Sequence, residues 1–386
     1  MACPSPPDKD AHWAQGCFLA STASRPPSQV EGIGFLTSIV RSLVLKNIVA
    51  SVCNLTGLNA LLRFTNRFRR RDQALILMYH RLREDGEQAE PFCAEVLGPS
   101  VTFFDRQMRH LEKRHTVISL DRLLASLRGE DRLPPNAVAI TFEDGYSDTY
   151  TLAYPILKKY GLPATVFLTT GFVGTQGLLW VDRVAYCINQ ARCHAVTLNG
   201  TRYPLSTAPE RRDAITQIID ELKQVTEKRK LELLEELQRA CGVDVHGRAY
   251  TLALSWDEVR EMARNGITIG AHTVTHPILT RVPKDTAESE ILESKLTIEK
   301  EIGQPVHLFA YPNGQPEDFN EELEGVVESL GFEAAFTTMS GPIDATALPF
   351  TLKRVSIDSR DTLPIFKAQL AGVFDVLRPM KHFLGL

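Results

Sequence analysis

Short apolar runs alternate along most of the chain with longer segments of amphipathic, helical spacing. After residue 71 the apolar runs are Ala74–Tyr79, Thr116–Ser119, Val138–Phe142, Ala164–Thr169, Thr268–Gly270, His307–Ala310 and Glu333–Phe336. The helical segments between them are Phe103–Arg114, Leu120–Arg128, Tyr150–Tyr160, Trp256–Asn265, Lys284–Glu301 and Glu317–Leu330. Strands that alternate with helices of this length predict a mostly parallel sheet covered by helices. The predicted fold class is therefore α/β.

One stretch, about residues 186–250, interrupts this alternation. Ala195–Leu205 has the pattern of a β-hairpin around an Asn-Gly pair. Pro209–Arg239 is a charged helical stretch whose neighbouring glutamates and lysines indicate a solvated surface arm. We therefore predict one domain at residues 72–360 with a helical insertion, followed by a C-terminal helix at 361–386.

The N-terminal region differs from the rest in composition and charge. Residues 1–31 are rich in proline, serine and small residues and predict an unstructured leader. Residues 32–71 carry seven arginines and lysines and no acid, whereas the whole chain has a net charge of −4. The apolar stretch Ile33–Leu62 is interrupted by charges and is too polar for a membrane span. We predict an amphipathic helical arm that lies on an anionic membrane surface, with a helix packed on the protein's own surface as the alternative.

Composition and cysteine usage limit the class of protein and its compartment. With 44% hydrophobic and 23% charged residues, the chain is globular rather than disordered. The seven cysteines include no Cys-x-x-Cys pair and predict reduced thiols. Residues 1–31 lack the basic and apolar regions of a signal peptide. We expect the protein in the cytoplasm or peripherally on the inner membrane face, and we expect no nucleic-acid partner.

Polar side chains follow two of the predicted strands at the point where each strand ends. Glu143 and Asp144 follow one buried strand, and His272 and His276 follow another. The carboxyl ends of parallel strands meet at one edge, where such folds place their chemistry. A carboxylate with two imidazoles is a common ligand set for a catalytic zinc-like ion with an open position. Each pair alone has a plain alternative, an ordinary turn or two solvated histidines.

Three motifs resemble those of the polysaccharide deacetylase family, which has the NodB homology domain and forms carbohydrate esterase family 4. Thr141-Phe142-Glu143-Asp144-Gly145 resembles the family's T-F-D-D-G motif, and His272-Thr273-Val274-Thr275-His276 matches H-[ST]-x-x-H. Phe309-Ala310-Tyr311-Pro312-Asn313-Gly314 is similar to the third motif. The resemblance spans about residues 72–360, and its motif order is closest to that of the poly-N-acetylglucosamine deacetylases. It implies an irregular (β/α) barrel and a metal-dependent hydrolase.

The resemblance also implies roles for four residues of these motifs. Asp144, His272 and His276 would bind a divalent metal, usually zinc, and position 143 would be the general base. The family base is an aspartate, so Glu143 is one methylene longer.

Other implied roles depend on segments outside the first two motifs. Many members orient the base with an arginine where this chain has Ala310, and Arg354 is a candidate substitute. His80 would protonate the leaving amine, with a strand-end cap as the alternative. Trp180 and Asp182 lie where family members line the sugar groove, although Trp180 is equally compatible with the core.

The predicted reaction is hydrolysis of the N-acetyl groups of an N-acetylated glycan. A backbone N–H in the segment from Tyr311 to Asn313 would stabilise the oxyanion. Two alternatives remain at this stage. One is a deacylase of a lipid-linked sugar, and the other is a non-catalytic sugar-binding member of the fold.

Overall fold

The described part of the chain covers most of the predicted domain and a short piece of the basic arm. A computed structural model describes residues 46–48, 50–53, 55–56, 73–86, 97–245 and 252–374. The predicted leader, most of the basic arm and the end of the predicted C-terminal helix lie outside the described residues.

Strands and helices alternate through these residues. The strands are β1 (Gln73–Tyr79), β2 (Arg81–Arg83), β3 (Leu97–Ser100), β4 (Thr116–Val117), β5 (Ala137–Phe142), β6 (Thr165–Leu168), β7 (Ala195–Leu198), β8 (Thr201–Pro204), β9 (Thr268–Ala271), β10 (Leu308–Ala310), β11 (Ala334–Phe336), β12 (Ile343–Asp344) and β13 (Val355–Ser356). The α-helices are α1 (Val101–Arg114), α2 (Leu120–Leu127), α3 (Tyr154–Tyr160), α4 (Trp180–Gln190), α5 (Ala208–Gln224), α6 (Glu227–Cys241), α7 (Trp256–Arg264), α8 (Lys284–Ile302), α9 (Glu321–Ser329) and α10 (Leu363–Leu370). A π-helix, Thr149–Ala153, precedes α3, and a 3-10 helix, Leu279–Arg281, precedes α8. The strands and helices predicted for the barrel are present, with ends that differ by a few residues.

The main sheet curves into an irregular barrel. Its strand order is β11-β10-β9-β6-β5-β1-β12, with β4 beside β5 and β13 beside β1. All of these pairs are parallel except β1 with β12. Just before β13, Leu352 bridges to Phe336 of β11, so segment 352–356 joins the last strand to the first. The predicted (β/α) barrel is confirmed.

Both faces of the central strands are buried, which explains why their sequences are continuously apolar. Alternate residues of β1 point in opposite directions. Leu75 and Leu77 pack in the same cluster as residues of α1. Ala74 and Ile76 pack in a second cluster that contains Phe336 from the far end of the sheet. The barrel therefore has a core on each side of its wall.

The insertion differs from its prediction as a solvated arm. The hairpin formed by β7 and β8 is present, but the charged stretch is two helices, α5 and α6, rather than one. They separate at Thr226, whose side chain accepts the N–H of Arg229 and so begins α6. Apolar residues at helical spacing, including Ile218 and Leu233, pack with α4 in a separate core. Most Glu and Lys residues lie on the outer faces of these helices, whereas Lys230 is buried beside Trp180.

The described piece of the basic arm is helical at residues 46–48, 50–53 and 55. Ala50 and Cys53 are buried in a cluster with Ile365 and Ala368 of α10. One face of this helix therefore packs on the protein's own surface. Among the described residues, no helix combines the length and the apolar character needed to cross a bilayer.

Candidate active site

The registers of the parallel strands bring several loops to one edge of the barrel. Tyr79 of β1 pairs with Phe142 of β5, so His80 and Glu143 begin adjacent loops. The Glu143 N–H donates to the Tyr79 carbonyl oxygen at 2.9 Å. The pairing of β6 with β9 puts His272 at the same edge. Strand pairing alone thus collects side chains that are distant in sequence.

Asp144, His272 and His276 form a compact triangle of ligand atoms. Asp144 Oδ1 lies 3.4 Å from His272 Nε2 and 3.3 Å from His276 Nε2. The two Nε2 atoms lie 3.2 Å apart. Within the described residues, this is the one cluster of histidine, cysteine or carboxylate side chains with the spacing of a metal site.

The triangle has the dimensions that a tetrahedral ion requires. With metal–ligand bonds of about 2.05 Å, two ligand atoms at the tetrahedral angle are about 3.3 Å apart. Asp144 Oδ1 is buried and has no hydrogen-bond partner of normal geometry among the described residues. A buried carboxylate oxygen without a partner is costly unless another group neutralises it. The three residues therefore fit a divalent zinc-like ion.

The hydrogen bond at Nδ1 of His272 favours ligation by this residue through Nε2. His272 Nδ1 lies 2.7 Å from the Ala310 carbonyl oxygen, so Nδ1 carries a proton and Nε2 faces the triangle. Burial lowers the pKa of His276 to about 3, against the attraction of Asp144. Burial also lowers the pKa of His272, but the negative charges of Glu143 and Asp144 outweigh it, and the net shift is upward. Protonation of an imidazole competes with metal ligation, so metal binding should weaken on acidification.

The loops that carry these residues contain unusual backbone conformations. Asp144, Thr273, His276 and Asn313 have φ values of 73°, 65°, 61° and 63°. They are four of the six non-glycine residues with positive φ in the described part of the chain. Such conformations cost energy and concentrate at functional sites. The backbone conformation of these loops thus sets the direction of the ligand side chains, and the surrounding packing maintains that conformation.

Glu143 forms a two-point ion pair with Arg354. The Arg354 guanidinium donates to Glu143 Oε1 at 2.6 Å and to Oε2 at 2.9 Å. Both side chains are buried, and the Arg354 Nε–H donates to the Thr337 carbonyl oxygen. Glu143 Oε2 also lies 3.6 Å from His272 Nε2. Glu143 is therefore fixed beside the triangle without belonging to it.

His80 is half-buried at the same edge. Burial is the largest influence on both pKa values, and it raises that of Asp144 and lowers that of His276. The charge of His80 is a smaller influence, and it lowers both pKa values. The chain after His80 is anchored by Asp148, which accepts the Leu82 N–H and the Arg81 Nε–H at 2.9 Å each. Asp148 lies only four residues after Asp144, but no local sequence pattern indicates its contact with residues 81 and 82.

Only one of the backbone N–H groups of residues 311–313 remains as a candidate donor to an oxyanion. The Tyr311 N–H is used within the sheet, where it donates to the Phe336 carbonyl oxygen at 3.0 Å. Proline has no N–H, so Pro312 has none to offer. Asn313 is the remaining candidate of the three, and its side chain is held by Asp318.

Trp180 lines a groove of about 440 Å³ between the insertion and the loop that carries His272 and His276. Its ring is 8% exposed and belongs to the core of the insertion. Lys230 Nζ lies 4.8 Å from the ring centroid and 2.7 Å from Glu227 Oε2. Trp180 is thus both a core residue and part of a groove wall.

Asp182 does not line the groove, contrary to the sequence-based expectation. The side chain is fully buried, and its Oδ2 accepts the hydroxyl hydrogen of Tyr146 at 2.7 Å. Residues 180 and 182 lie on different sides of α4 because the helix turns about 100° per residue. The groove-lining role that the resemblance implied for Asp182 is therefore wrong.

Comparison with known proteins identifies the family to which this fold and this site belong. The family model of polysaccharide deacetylases matches residues 130–335, and the chain belongs to this family. The matched range contains the triangle and Glu143, whereas His80 and Arg354 lie outside it. The poly-β-1,6-N-acetyl-D-glucosamine N-deacetylase of Staphylococcus aureus is 30% identical over 121 residues, 30% of this chain and 42% of that protein.

Similarity extends further in other relatives at lower identity. YxkH of Bacillus subtilis, named as a candidate polysaccharide deacetylase, is 24% identical over 229 residues, 59% of this chain and 54% of that protein. The chain thus spans about half the length of the curated relatives it matches. The Streptococcus pyogenes deacetylase PplD, solved with acetate, has a TM-score of 0.52 at 21% identity, covering 78% of this chain and 98% of that one. IcaB from Ammonifex degensii has a TM-score of 0.52 at 18% identity, covering 78% and 97%. These two likenesses establish the fold.

Proposed function

We propose that this protein is a metal-dependent hydrolase that removes N-acetyl groups from the N-acetylated amino sugars of a polysaccharide or oligosaccharide. The observation that carries the proposal is the triangle of Asp144, His272 and His276, with ligand atoms 3.2–3.4 Å apart and Glu143 beside it. The S. aureus relative named for deacetylation of poly-N-acetylglucosamine supports the choice of substrate class.

Each residue has a distinct task in this reaction. Asp144, His272 and His276 would hold a divalent ion, which would supply Lewis-acid chemistry that lowers the pKa of water and polarises the acetamide carbonyl. Glu143 accepts the proton of the attacking water. Each Glu143 carboxylate oxygen that accepts a hydrogen bond from Arg354 still has a lone pair that can take this proton. The Asn313 N–H donates to the carbonyl oxygen as it becomes negative. His80 protonates the nitrogen of the departing amino sugar, and acetate is released.

The test is acetate release from oligomers of β-1,6-linked N-acetylglucosamine by the purified full-length protein. We expect release to be lost after chelation and restored by added Zn²⁺. A zinc-loaded protein that releases no acetate from this oligomer or from a β-1,4-linked one would instead support the non-catalytic alternative.

A lipid-linked N-acylated sugar is a second candidate substrate, favoured by the apolar wall of the groove. Leu178, Leu179, Leu231 and Leu234 line it together with Trp180. Leu231 is 50% exposed and so adds accessible apolar surface to this wall, and contiguous apolar surface is typical of ligand-binding grooves. Comparing acetate release from the same sugar with and without a lipid carrier separates the two substrates.

We also propose that the basic arm contacts an anionic membrane, at the inner face if the protein is cytoplasmic. Ile48, Val52 and Leu55 are 54%, 52% and 85% exposed, and their spacing puts them on one side of the helix. The opposite face packs on α10. An exposed apolar stripe within a segment of seven cations and no acids has the composition of an interfacial helix.

A further inference from the structure

The backbone of the ligand loop, which we define as residues 272–276, is held on one side by the loop that follows β6. Thr169 Oγ1 donates to the His272 carbonyl oxygen at 3.2 Å. The N–H groups of residues 170 and 171 donate to the next two carbonyl oxygens, at 3.1 and 2.8 Å. A Cβ at Gly171 would lie 2.7 Å from the Val274 carbonyl oxygen, so this approach requires glycine. The carbonyl oxygens of residues 272–274 are thus satisfied from this side.

A single carboxylate holds the donors on the other side of the ligand loop. Glu290 Oε2 accepts the N–H groups of Val274 and Thr275, at 2.8 Å each. Glu290 Oε1 accepts the hydroxyl hydrogen of Thr275 at 2.6 Å. Hydrogen bonds to an ionised acceptor are shorter and roughly twice as strong as neutral ones. Three such bonds to donors of two consecutive residues fix the middle of the loop.

The loop needs this support because of its backbone conformation. Thr273 and His276 both have positive φ, at 65° and 61°. Residues with side chains hold such values only where the surroundings determine them. Val274 and Thr275 lie between these two residues. Glu290 therefore binds the segment that separates the two residues with positive φ. The same segment sets the distance between His272 and His276.

Glu290 reaches the loop from a rigid element. It lies in the second turn of α8, whose Ala287 and Ile291 are buried in the main core. Lys230 of the insertion adds a positive charge on this side. Burial lowers the pKa of Lys230, whereas Glu227 and Glu290 act to raise it.

We propose that Glu290 is a positioning residue that sets the metal affinity of the site by holding the ligand loop. The proposal rests on the metal-dependent function proposed above. Partners that orient metal ligands typically contribute 10–100-fold to metal affinity. Glutamine at this position keeps the size of the side chain but has only one oxygen to accept three donors. Its NH₂ group cannot accept from the Thr275 hydroxyl, and the negative charge that strengthens all three bonds is lost.

The experiment measures zinc affinity of the full-length apo protein by competition with a chromophoric chelator. Glu290→Gln is expected to weaken binding about 10-fold or more. The matched control is Glu293→Gln, which makes the same change at an exposed position of the same helix and is expected to leave the affinity within about twofold. Thr275→Val removes only one hydrogen bond and is expected to weaken binding about fivefold.

Co²⁺ absorption supplies a readout that a loss of stability alone would not move. In the Glu290→Gln protein the visible bands should change, because the relative placement of the two imidazoles changes. Saturating Zn²⁺ should restore most of the kcat of this variant, since no reacting group has been removed.

The outcomes separate this proposal from the proposed function. If the wild type binds zinc and folded Glu290→Gln binds it equally well with the same Co²⁺ spectrum, the positioning role is refuted and the proposed function stands. If Glu290→Gln does not fold, unchanged affinity in Thr275→Val refutes the role instead. A wild type that binds no zinc overturns both proposals.

Discussion

Arg354 and Glu143 are 211 residues apart in sequence and form a buried ion pair through both carboxylate oxygens. Arg354 lies in segment 352–356, which closes the barrel between β11 and β1. The resemblance to the family implies an arginine at position 310, which is Ala310 in this chain. Glu143, the proposed base, is instead held by Arg354 from the segment that closes the barrel.

The ion pair yields a stability prediction. Arg354→Met leaves a buried carboxylate without its partner and is expected to lower the free energy of unfolding by about 3 kcal/mol. The double variant Arg354→Met/Glu143→Met removes both charges and should regain most of that loss. Urea unfolding of the three proteins measures both effects. A single variant as stable as wild type would show that the pair does not form.

Metal content tests the triangle directly. We expect about one divalent ion per chain in wild type and little in His272→Ala/His276→Ala, because one carboxylate alone binds weakly. Elemental analysis of dialysed protein measures this, with His194→Ala, an exposed histidine, as the control. Affinity should fall on acidification, since the raised pKa of His272 lets a proton compete. Equal metal in the double variant and wild type contradicts the assignment.

Asp361 gives a pH dependence that is independent of the metal. Burial raises its pKa to about 6, above its ordinary value of 3.8. The folded state therefore binds more protons than the unfolded state between about pH 4 and pH 6, and stability decreases as pH rises through that window.

Replacing this carboxyl group should remove the pH effect. Asp361→Asn is expected to raise the free energy of unfolding by about 1–2 kcal/mol at pH 7, because residual exposure screens part of the full effect. Below about pH 4 the variant should gain nothing. Thermal unfolding at pH 4, 5, 6 and 7 measures the trend, and a gain that is constant with pH would exclude Asp361 as its source.

The exposed stripe of the N-terminal helix predicts membrane binding. Full-length protein should float with phosphatidylglycerol-containing vesicles at low salt, and Ile48→Ser/Val52→Ser/Leu55→Ser should float much less. Leu348→Ser is the control, since Leu348 is 65% exposed elsewhere on the surface. Binding should weaken with salt because screening shortens electrostatic range. Equal flotation of the triple variant and the control would refute the role of the stripe.

The sequence predicted the barrel and the triangle because both depend on local patterns. Apolar runs define strands, and residues directly after parallel strands must meet at one edge. The contribution of Glu290 was not visible, since a glutamate on a helix usually faces solvent. The core of the insertion was missed because charged neighbours obscured Ile218 and Leu233, which are spaced to face α4. Partners separated by long stretches of chain leave little local signal.

The most direct test of the account is the rate of acetate release by Glu143→Gln. Glutamine keeps the size of the side chain and its hydrogen-bonding reach but has no basicity. We predict that kcat falls by about 10²–10⁴, the usual contribution of a general base, while metal content stays at the wild-type level. Release by the Gln variant at the wild-type rate, with the same metal content, would contradict the assignment of Glu143 as the base.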